Sequence, residues 1–164
     1  MNRYRSIVSL LLVLAAAAPP ASAQKLADLN NHPTIGGTLP ELDTKALDGS
    51  VRKVGYPKGT TTLLLFFSSS CPVCHKMIPE WNRLYEKRAK GVEIVGVIVD
   101  QEPPGFFQTM PVSFPVVRVP SREFMNAHQI KRVPLTLRLA AGGKIDDLGL
   151  GVLDPIRLGE LFRP

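Results

Sequence analysis

Two apolar runs flank an amphipathic stretch in the middle of the chain. Residues 61–67 (TTLLLFF) and 92–99 (VEIVGVIV) are too short for typical helices and rich in β-forming residues. Such runs are typical of strands that are buried on both faces of a parallel sheet. Between them, apolar side chains recur at helical spacing and form one stripe: Met77, Ile78, Trp81, Leu84 and Tyr85. The pattern predicts a strand–helix–strand unit with a parallel pair of strands.

Proline and glycine mark the limits of the remaining elements. Pro79 lies inside the predicted helix and should kink it, and Gly91 is expected to end it. Asp48-Gly49 predicts the turn of a short hairpin formed by residues 39–42 and 46–50. The later elements, in chain order, are an irregular connection over 103–110, a strand over 114–119, a helix over 122–128 capped by Ser121, a strand over 135–139, a turn at Gly142-Gly143, a strand over 144–148 and a helix over 155–162.

The first 23 residues have the pattern of a secretory signal peptide. A basic start with Arg3 and Arg5 precedes an apolar run over 7–18 and the small-x-small site Ala21-Ser22-Ala23. The run is shorter than the roughly 20 residues that a membrane span needs. We expect cleavage after Ala23 and a periplasmic location, or a membrane anchor if the segment stays uncleaved. Residues 24–37 are then a loose N-terminal arm, and residues 38–164 form one domain.

The charge distribution and the motifs of the sequence limit the kinds of partner and cofactor that we expect. The formal net charge is +6, and the basic residues are scattered along the chain rather than gathered on one segment. Phosphate-binding glycine motifs and zinc-ligand spacings are absent from the sequence. We therefore expect no nucleic-acid partner, no metal and no dissociable cofactor.

The chain has only two cysteines, Cys71 and Cys74, and they lie three positions apart. A bridge between them closes almost no loop and would add little stability, so chemistry is the better reason for the pair. Disulfide exchange needs one thiolate that attacks and a second thiol that resolves the mixed disulfide. The N–H groups and the dipole at the start of the predicted helix favour the thiolate of Cys71. Cys74 lies one turn inside, so we expect Cys71 to attack and Cys74 to resolve.

Other interpretations of the cysteine motif remain open at this point. Residues 71–75 read C-x-x-C-H, which is also the pattern of c-type haem attachment, although the flanking strands do not suit a small helical cytochrome. Half of a zinc site is disfavoured, because only His32, His75 and His128 could complete it. His75 itself either tunes the cysteine pair or is an exposed side chain of the first helical turn, and adjacent helical positions favour the second interpretation.

These segments together resemble the thioredoxin superfamily, and within it the exported TlpA/ResA-like branch. The matching features are TTLLLFF, then CPVC, a helix with Pro79 and Trp81, VEIVGVIVD, and Val133-Pro134 before a hairpin. CPVC followed by Ile78-Pro79 is also similar to the MauD-type proteins linked to methylamine dehydrogenase maturation. The resemblance implies an α/β, thioredoxin-like fold with a mixed central β-sheet flanked by helices.

The resemblance also implies an activity and a substrate-binding loop. Pro134 would be a cis-proline that faces the cysteines, and Val133 would offer its backbone to an extended protein substrate. The implied activity is thiol–disulfide exchange with protein substrates, mainly as a reductant, for example in cytochrome c maturation, with a membrane-bound thiol electron donor. An oxidant, an isomerase or a non-catalytic thioredoxin-fold binding module remain alternatives.

The chain departs from the family pattern around the cysteines. Ser70 stands where thioredoxin has tryptophan, Leu65 where thioredoxin has a buried aspartate, and Met77 where the ResA-like enzymes have glutamate. Both usual carboxylates near Cys74 are therefore missing. Either its proton passes to water or to His75, or resolution by Cys74 is slow. The peroxiredoxin motif fails as well, because Leu64 stands where that motif needs proline.

Overall fold

A five-stranded mixed sheet forms the centre of the computed structural model, which describes residues 32–164. The predicted signal peptide and residues 24–31 of the predicted arm lie outside the described residues. The strand order is β5 (Val116–Arg118), β4 (Val92–Ile98), β3 (Thr61–Phe67), β6 (Leu135–Leu139) and β7 (Ile145–Leu150). The pairs β3–β4 and β4–β5 are parallel, whereas β3–β6 and β6–β7 are antiparallel. The expected mixed sheet is confirmed.

The central strand β3 supplies both halves of the core. Successive side chains of a strand point to opposite faces, so Leu63, Leu65 and Phe67 join one apolar cluster while Leu64 and Phe66 join the other. All of these side chains are fully buried. The parallel register sets Phe67 beside Ile98 of β4, so these two strands end side by side at the same edge. The loops that follow them are therefore brought together.

The long helix α1 (Pro72–Glu86) covers one face of the sheet together with α4 (Pro155–Leu161). The predicted stripe is the buried side, with Met77, Ile78 and Trp81 at its centre. The helix continues through Pro79 and ends at Glu86, so the expected end at Gly91 is wrong. Gly91 instead has a left-handed φ of 85° and accepts a hydrogen bond from Thr61 N–H, in the turn that leads into β4.

Shorter elements complete the domain. The helix α2 (Phe106–Thr109) lies where an irregular connection was expected, and α3 (Arg122–Ala127) follows its predicted cap Ser121. The predicted turn at Asp48-Gly49 joins β1 (Leu42–Lys45) to β2 (Val51–Val54), with strands shifted from their expected bounds. This hairpin meets the sheet at Ala46, which bridges Val117 of β5.

The described end of the N-terminal arm is attached to the domain rather than loose. The N–H of Gly36 donates to the carbonyl of Ile145 over 2.8 Å, and the Ile145 N–H donates back to Gly37 over 2.8 Å. Within residues 32–164, no helix has the length and apolar character that a membrane crossing requires.

Candidate active site

Cys71 is the residue that caps the N-terminus of α1. Its backbone is extended, and its sulfur accepts a hydrogen bond from the Cys74 N–H over 3.1 Å. Pro72 occupies the first helical turn, where a missing N–H costs least. The Cys71 side chain is half-buried, and as the cap it lies at the positive end of the helix. A thiolate at this position is stabilised by a backbone donor.

Cys74 has a different environment one turn further along. It is fully buried and, like Cys71, is a free thiol. Burial, followed by the hydrogen bond with the Cys71 sulfur, raises the pKa of Cys74 to about 12. The negative charge of Asp100 acts in the same direction. Cys74 is therefore a protonated thiol at neutral pH.

The loop before β6 faces the cysteine pair. The peptide bond between Val133 and Pro134 is cis, as the resemblance implies. The Cys71 thiol points to the Val133 carbonyl, with 3.9 Å between sulfur and oxygen. The carbonyl of Pro134 accepts from Gly151 N–H over 2.8 Å, which ties this loop to the turn after β7. The structure thus brings together Cys71, Cys74, Val133 and Pro134.

The serine loop, residues 68–70, connects β3 to the cysteine motif and is held by one carboxylate. Ser68 Oγ and Ser69 Oγ donate to Asp100 Oδ2 over 2.7 and 2.9 Å, and Ser69 N–H donates to Oδ1 over 2.9 Å. Sequence reasoning missed Asp100 as a part of the site. A signal was present, because Asp100 follows a strand that was predicted to run parallel to β3, and such strands end at the same edge.

His75 holds the other side of the serine loop. Its Nε2–H donates to the Ser69 carbonyl over 2.8 Å, and its ring centre lies 5.8 Å from that of Phe106. The side chain is half-buried, so the interpretation as an exposed residue of the first turn is wrong. Its hydrogen bond goes to the loop backbone rather than to a sulfur.

The positions of the missing family carboxylates lie in the core. Leu65 and Met77 are both buried in the apolar cluster beneath α1. A negative charge nevertheless reaches Cys74, from Asp100 on the neighbouring strand end. Asp100 thus follows the end of β4, whereas the carboxylates of the family would lie at the positions of Leu65 in β3 and Met77 in α1.

The geometry does not favour haem attachment to this motif. Thioether bonds would require both sulfurs to reach a haem edge, and the Cys74 side chain is fully buried beneath the first turn of α1. The His75 Nε2 that would ligate iron is bonded to the Ser69 carbonyl. Within the described part of the chain, no group of three or more potential metal ligands comes together.

The mixed sheet, the cysteine pair at the start of α1 and the adjacent cis-proline define a thioredoxin-like thiol–disulfide oxidoreductase. A family model described as Redoxin matches residues 16–156. The chain therefore belongs to the Redoxin family.

Known proteins with similar sequences and structures agree with this class. The chain is 29% identical to the thiol-disulfide oxidoreductase ResA of Oceanobacillus iheyensis, covering 96% of this chain and 86% of that protein. It is 27% identical to the methylamine utilization protein MauD of Paracoccus versutus, covering 74% and 61%. The crystal structure of StoA from Bacillus subtilis superposes with a TM-score of 0.64 at 24% identity, covering 76% and 98%. The resemblance to the TlpA/ResA-like branch is confirmed, and so is the thioredoxin-like fold.

Proposed function

We propose that this protein is a periplasmic reductant that cleaves disulfides in exported proteins, for example during the maturation of cytochrome c or of another redox protein. The observation that carries the proposal is the geometry of Cys71. Its side chain is only partly buried, and its sulfur accepts the Cys74 N–H over 3.1 Å and faces the Val133 carbonyl at 3.9 Å. A substrate disulfide that approaches along this loop would reach the thiolate of Cys71 first.

The reaction proceeds in two displacements. The Cys71 thiolate attacks one sulfur of the substrate disulfide, forms a mixed disulfide with it and releases the other substrate sulfur as a thiolate. Cys74 then loses its proton to water and attacks Cys71. The bond between Cys71 and the substrate breaks, and the second substrate sulfur leaves with the electron pair and takes a proton from solvent. The substrate ends as a dithiol, and the Cys71–Cys74 pair ends as a disulfide.

The loop around Val133 and Pro134 binds the substrate in this proposal. The Val133 backbone would form strand-like hydrogen bonds with an extended segment of the substrate on either side of its cysteine. The Val133 carbonyl of this loop lies 3.9 Å from the Cys71 sulfur. Recognition through backbone groups suits an enzyme that accepts more than one protein sequence.

A reductant in the periplasm needs a source of electrons. Glutathione does not set the redox balance of that compartment, so a membrane-bound thiol donor would return the Cys71–Cys74 disulfide to the dithiol. The similarity to ResA and to MauD supports a role in the maturation of exported proteins, because the branch that they represent mostly acts as a reductant.

The equilibrium reduction potential of the Cys71–Cys74 pair tests the direction. We would titrate the mature protein against a dithiothreitol or glutathione buffer and follow the fraction of disulfide. A potential near the −270 mV of thioredoxin supports a dedicated reductant, whereas a value near the −120 mV of DsbA would overturn that direction and indicate an oxidant or isomerase.

The location has its own test. The full-length gene product would be expressed in a Gram-negative host, and the mass of the intact protein in the periplasmic fraction would be measured. A mass that begins at Gln24 supports cleavage after Ala23. A full-length mass in the membrane fraction would instead indicate an anchored protein.

A further inference from the structure

The carboxylate of Asp100 accepts hydrogen bonds from the serine loop that leads to the cysteines. Asp100 lies two residues after the end of β4 and accepts five hydrogen bonds from three consecutive serines. The bonds from Ser68 and Ser69 are 2.7 to 2.9 Å long, and those from Ser70 are 3.3 and 3.4 Å long. A loop of only three residues is thereby fixed to the neighbouring strand end.

The same loop forms the wall next to Cys74. The Ser68 carbonyl accepts from Cys71 N–H over 3.3 Å, and a hydrogen bond with the Ser68 backbone partly offsets the raised pKa of Cys74. His75 holds the loop from the opposite side through the Ser69 carbonyl. The serine loop therefore connects Asp100 to the cysteine motif. The negative charge of Asp100 also contributes to the raised pKa of Cys74.

Asp100 is suited to remain a carboxylate and not to act as a base. Burial alone would raise the pKa of Asp100, but the hydrogen bonds from Ser69, Ser68 and Ser70 outweigh burial and hold the pKa below its usual value. Since donors occupy both carboxylate oxygens, the group is a weak proton acceptor.

The other charged groups around Asp100 do not cancel its effect on Cys74. The charge of Asp100 also acts on Glu102, and Arg118 pairs with Glu102 in a two-pronged ion pair with distances of 2.7 and 2.8 Å. Lys45 and Arg118 line a groove beside Asp100. On the side of Cys74, the titratable neighbours are Cys71 and the His75 ring, which is bonded to the Ser69 carbonyl.

We propose that Asp100 is a positioning residue for the exchange reaction: it fixes the serine loop from the next strand, and its negative charge disfavours the thiolate of the buried Cys74. The inference rests on the proposed function of the cysteine pair. It assigns Asp100 to the second displacement, in which Cys74 attacks Cys71, and not to the first. The mixed disulfide is then long-lived at neutral pH, and its resolution accelerates as the pH rises.

A kinetic experiment separates the two displacements. Reduced mature protein is mixed with an excess of an aromatic disulfide that releases a coloured thiolate in each step. The fast phase reports the attack of Cys71, and the slow phase reports the attack of Cys74 on the mixed disulfide. Both phases are recorded between about pH 6 and pH 9 for the wild type and the variants.

Asp100→Asn removes the charge and keeps the shape, and we expect it to accelerate the slow phase at each pH. A lower pKa of Cys74 yields more thiolate but a weaker nucleophile, so the two effects partly cancel and the step should accelerate about two- to threefold. Asp100→Glu, which restores the charge, should return the rate to that of the wild type. Glu102→Gln is the matched control, because Glu102 carries a neighbouring charge but no bond to the serine loop, and its slow phase should stay unchanged.

The outcomes distinguish the inference from the function on which it rests. An unchanged slow phase in Asp100→Asn, or an equal acceleration in Glu102→Gln, would overturn the role of Asp100 while the fast phase still supports exchange. If Cys71→Ser keeps both phases, the proposed function itself is overturned. If Asp100→Asn does not fold, Asp100→Ser removes the charge with a smaller side chain, and the same acceleration is expected.

Discussion

Cys71 and Cys74 are separated by two residues, yet only the Cys71 side chain meets solvent. The difference follows from the helix that begins between them: the first residue caps it, and the second lies one turn inside, against the core. Burial raises the pKa of Cys74 to about 12. The position of each residue on α1 therefore supports the proposed order, in which Cys71 attacks first and Cys74 resolves.

Removal of the second thiol should trap the intermediate. In Cys74→Ser, the attack by Cys71 still occurs, but the mixed disulfide cannot be resolved by the neighbouring residue. We expect a covalent complex with disulfide-containing periplasmic proteins that is visible on non-reducing gels and disappears with dithiothreitol. Cys71→Ser is the control and should yield no such complex; complexes of equal yield in both variants would contradict the assigned order.

Replacement of His75 should affect stability more than chemistry. His75→Ala removes the hydrogen bond to the Ser69 carbonyl, so the free energy of unfolding should fall by about 1 kcal/mol. The rate of attack by Cys71 should change less than about threefold, because the ring holds the loop and not a sulfur. Urea titration and the fast phase of thiolate release measure the two quantities, with the exposed Lys76→Ala as control. A large loss of rate without loss of stability would favour a direct role in catalysis.

Some residues of the candidate site could be identified from the sequence, and others could not. The cysteine pair was identified from its spacing, and the loop at Pro134 from its resemblance to known proteins; the structure brings them together. Asp100 and the loop-holding role of His75 were not identified, because each depends on a hydrogen bond to the serine loop that forms only in the folded chain. Five donors on one carboxylate arise only when the ends of β3 and β4 are adjacent. Periodicity predicted that these two strands run side by side, but it does not show which side chains beyond their ends form hydrogen bonds.

At the scale of the elements, long buried segments were predictable and short connections were not. β3 has its predicted bounds, and α1 follows the predicted apolar stripe, because burial imposes a clear period on each. α2 was not predicted, since a helix of four residues shows too little periodicity. The end of α1 was placed too late, at Gly91, because the glycine serves the turn before β4 rather than the helix.

A glycine in the middle of β4 leaves room for an aromatic ring. A Cβ at Gly96 would lie 2.7 Å from Phe114 Cε2 and 3.1 Å from Phe67 Cε1. Gly96→Ala should therefore overpack the core and lower the free energy of unfolding by about 1 to 3 kcal/mol. Chemical denaturation monitored by the fluorescence of Trp81 would measure the loss.

The same substitution in a helix provides the matched control. Gly159 lies inside α4, and a Cβ there would meet nothing within 4 Å. Gly159→Ala should stabilise the protein by about 0.5 to 1 kcal/mol through the lower entropy of the unfolded chain and the better helix propensity of alanine. An equal effect of the two variants would contradict the packing explanation for Gly96.

At the scale of the whole molecule, acid should weaken the fold through a few carboxylates. Hydrogen bonds from Arg118 lower the pKa of Glu102, and those from Arg157 lower the pKa of Asp147. A carboxyl whose folded pKa is depressed stabilises the fold above its unfolded value of about 4, and this contribution is lost as the pH falls through the folded pKa.

The pH dependence of thermal unfolding tests this expectation. The melting temperature should fall most steeply below about pH 4. Glu102→Gln should melt lower at neutral pH and show a shallower fall in acid, because its contribution is already absent. A melting curve that drops between pH 7 and pH 5 would instead point to a different titrating group.

The cap of α1 places the Cys74 backbone amide in a hydrogen bond with the sulfur that reacts. The other capped helices begin with oxygen acceptors, Ser121 for α3 and Asp154 for α4, whereas α1 begins with the sulfur of Cys71. The Cys74 amide proton is directed at that sulfur, so its NMR resonance should move each time Cys71 passes from thiolate to mixed disulfide to disulfide. Uniform labelling with nitrogen-15 would thus let turnover be followed in real time from a single backbone signal, with no dye and no modified substrate.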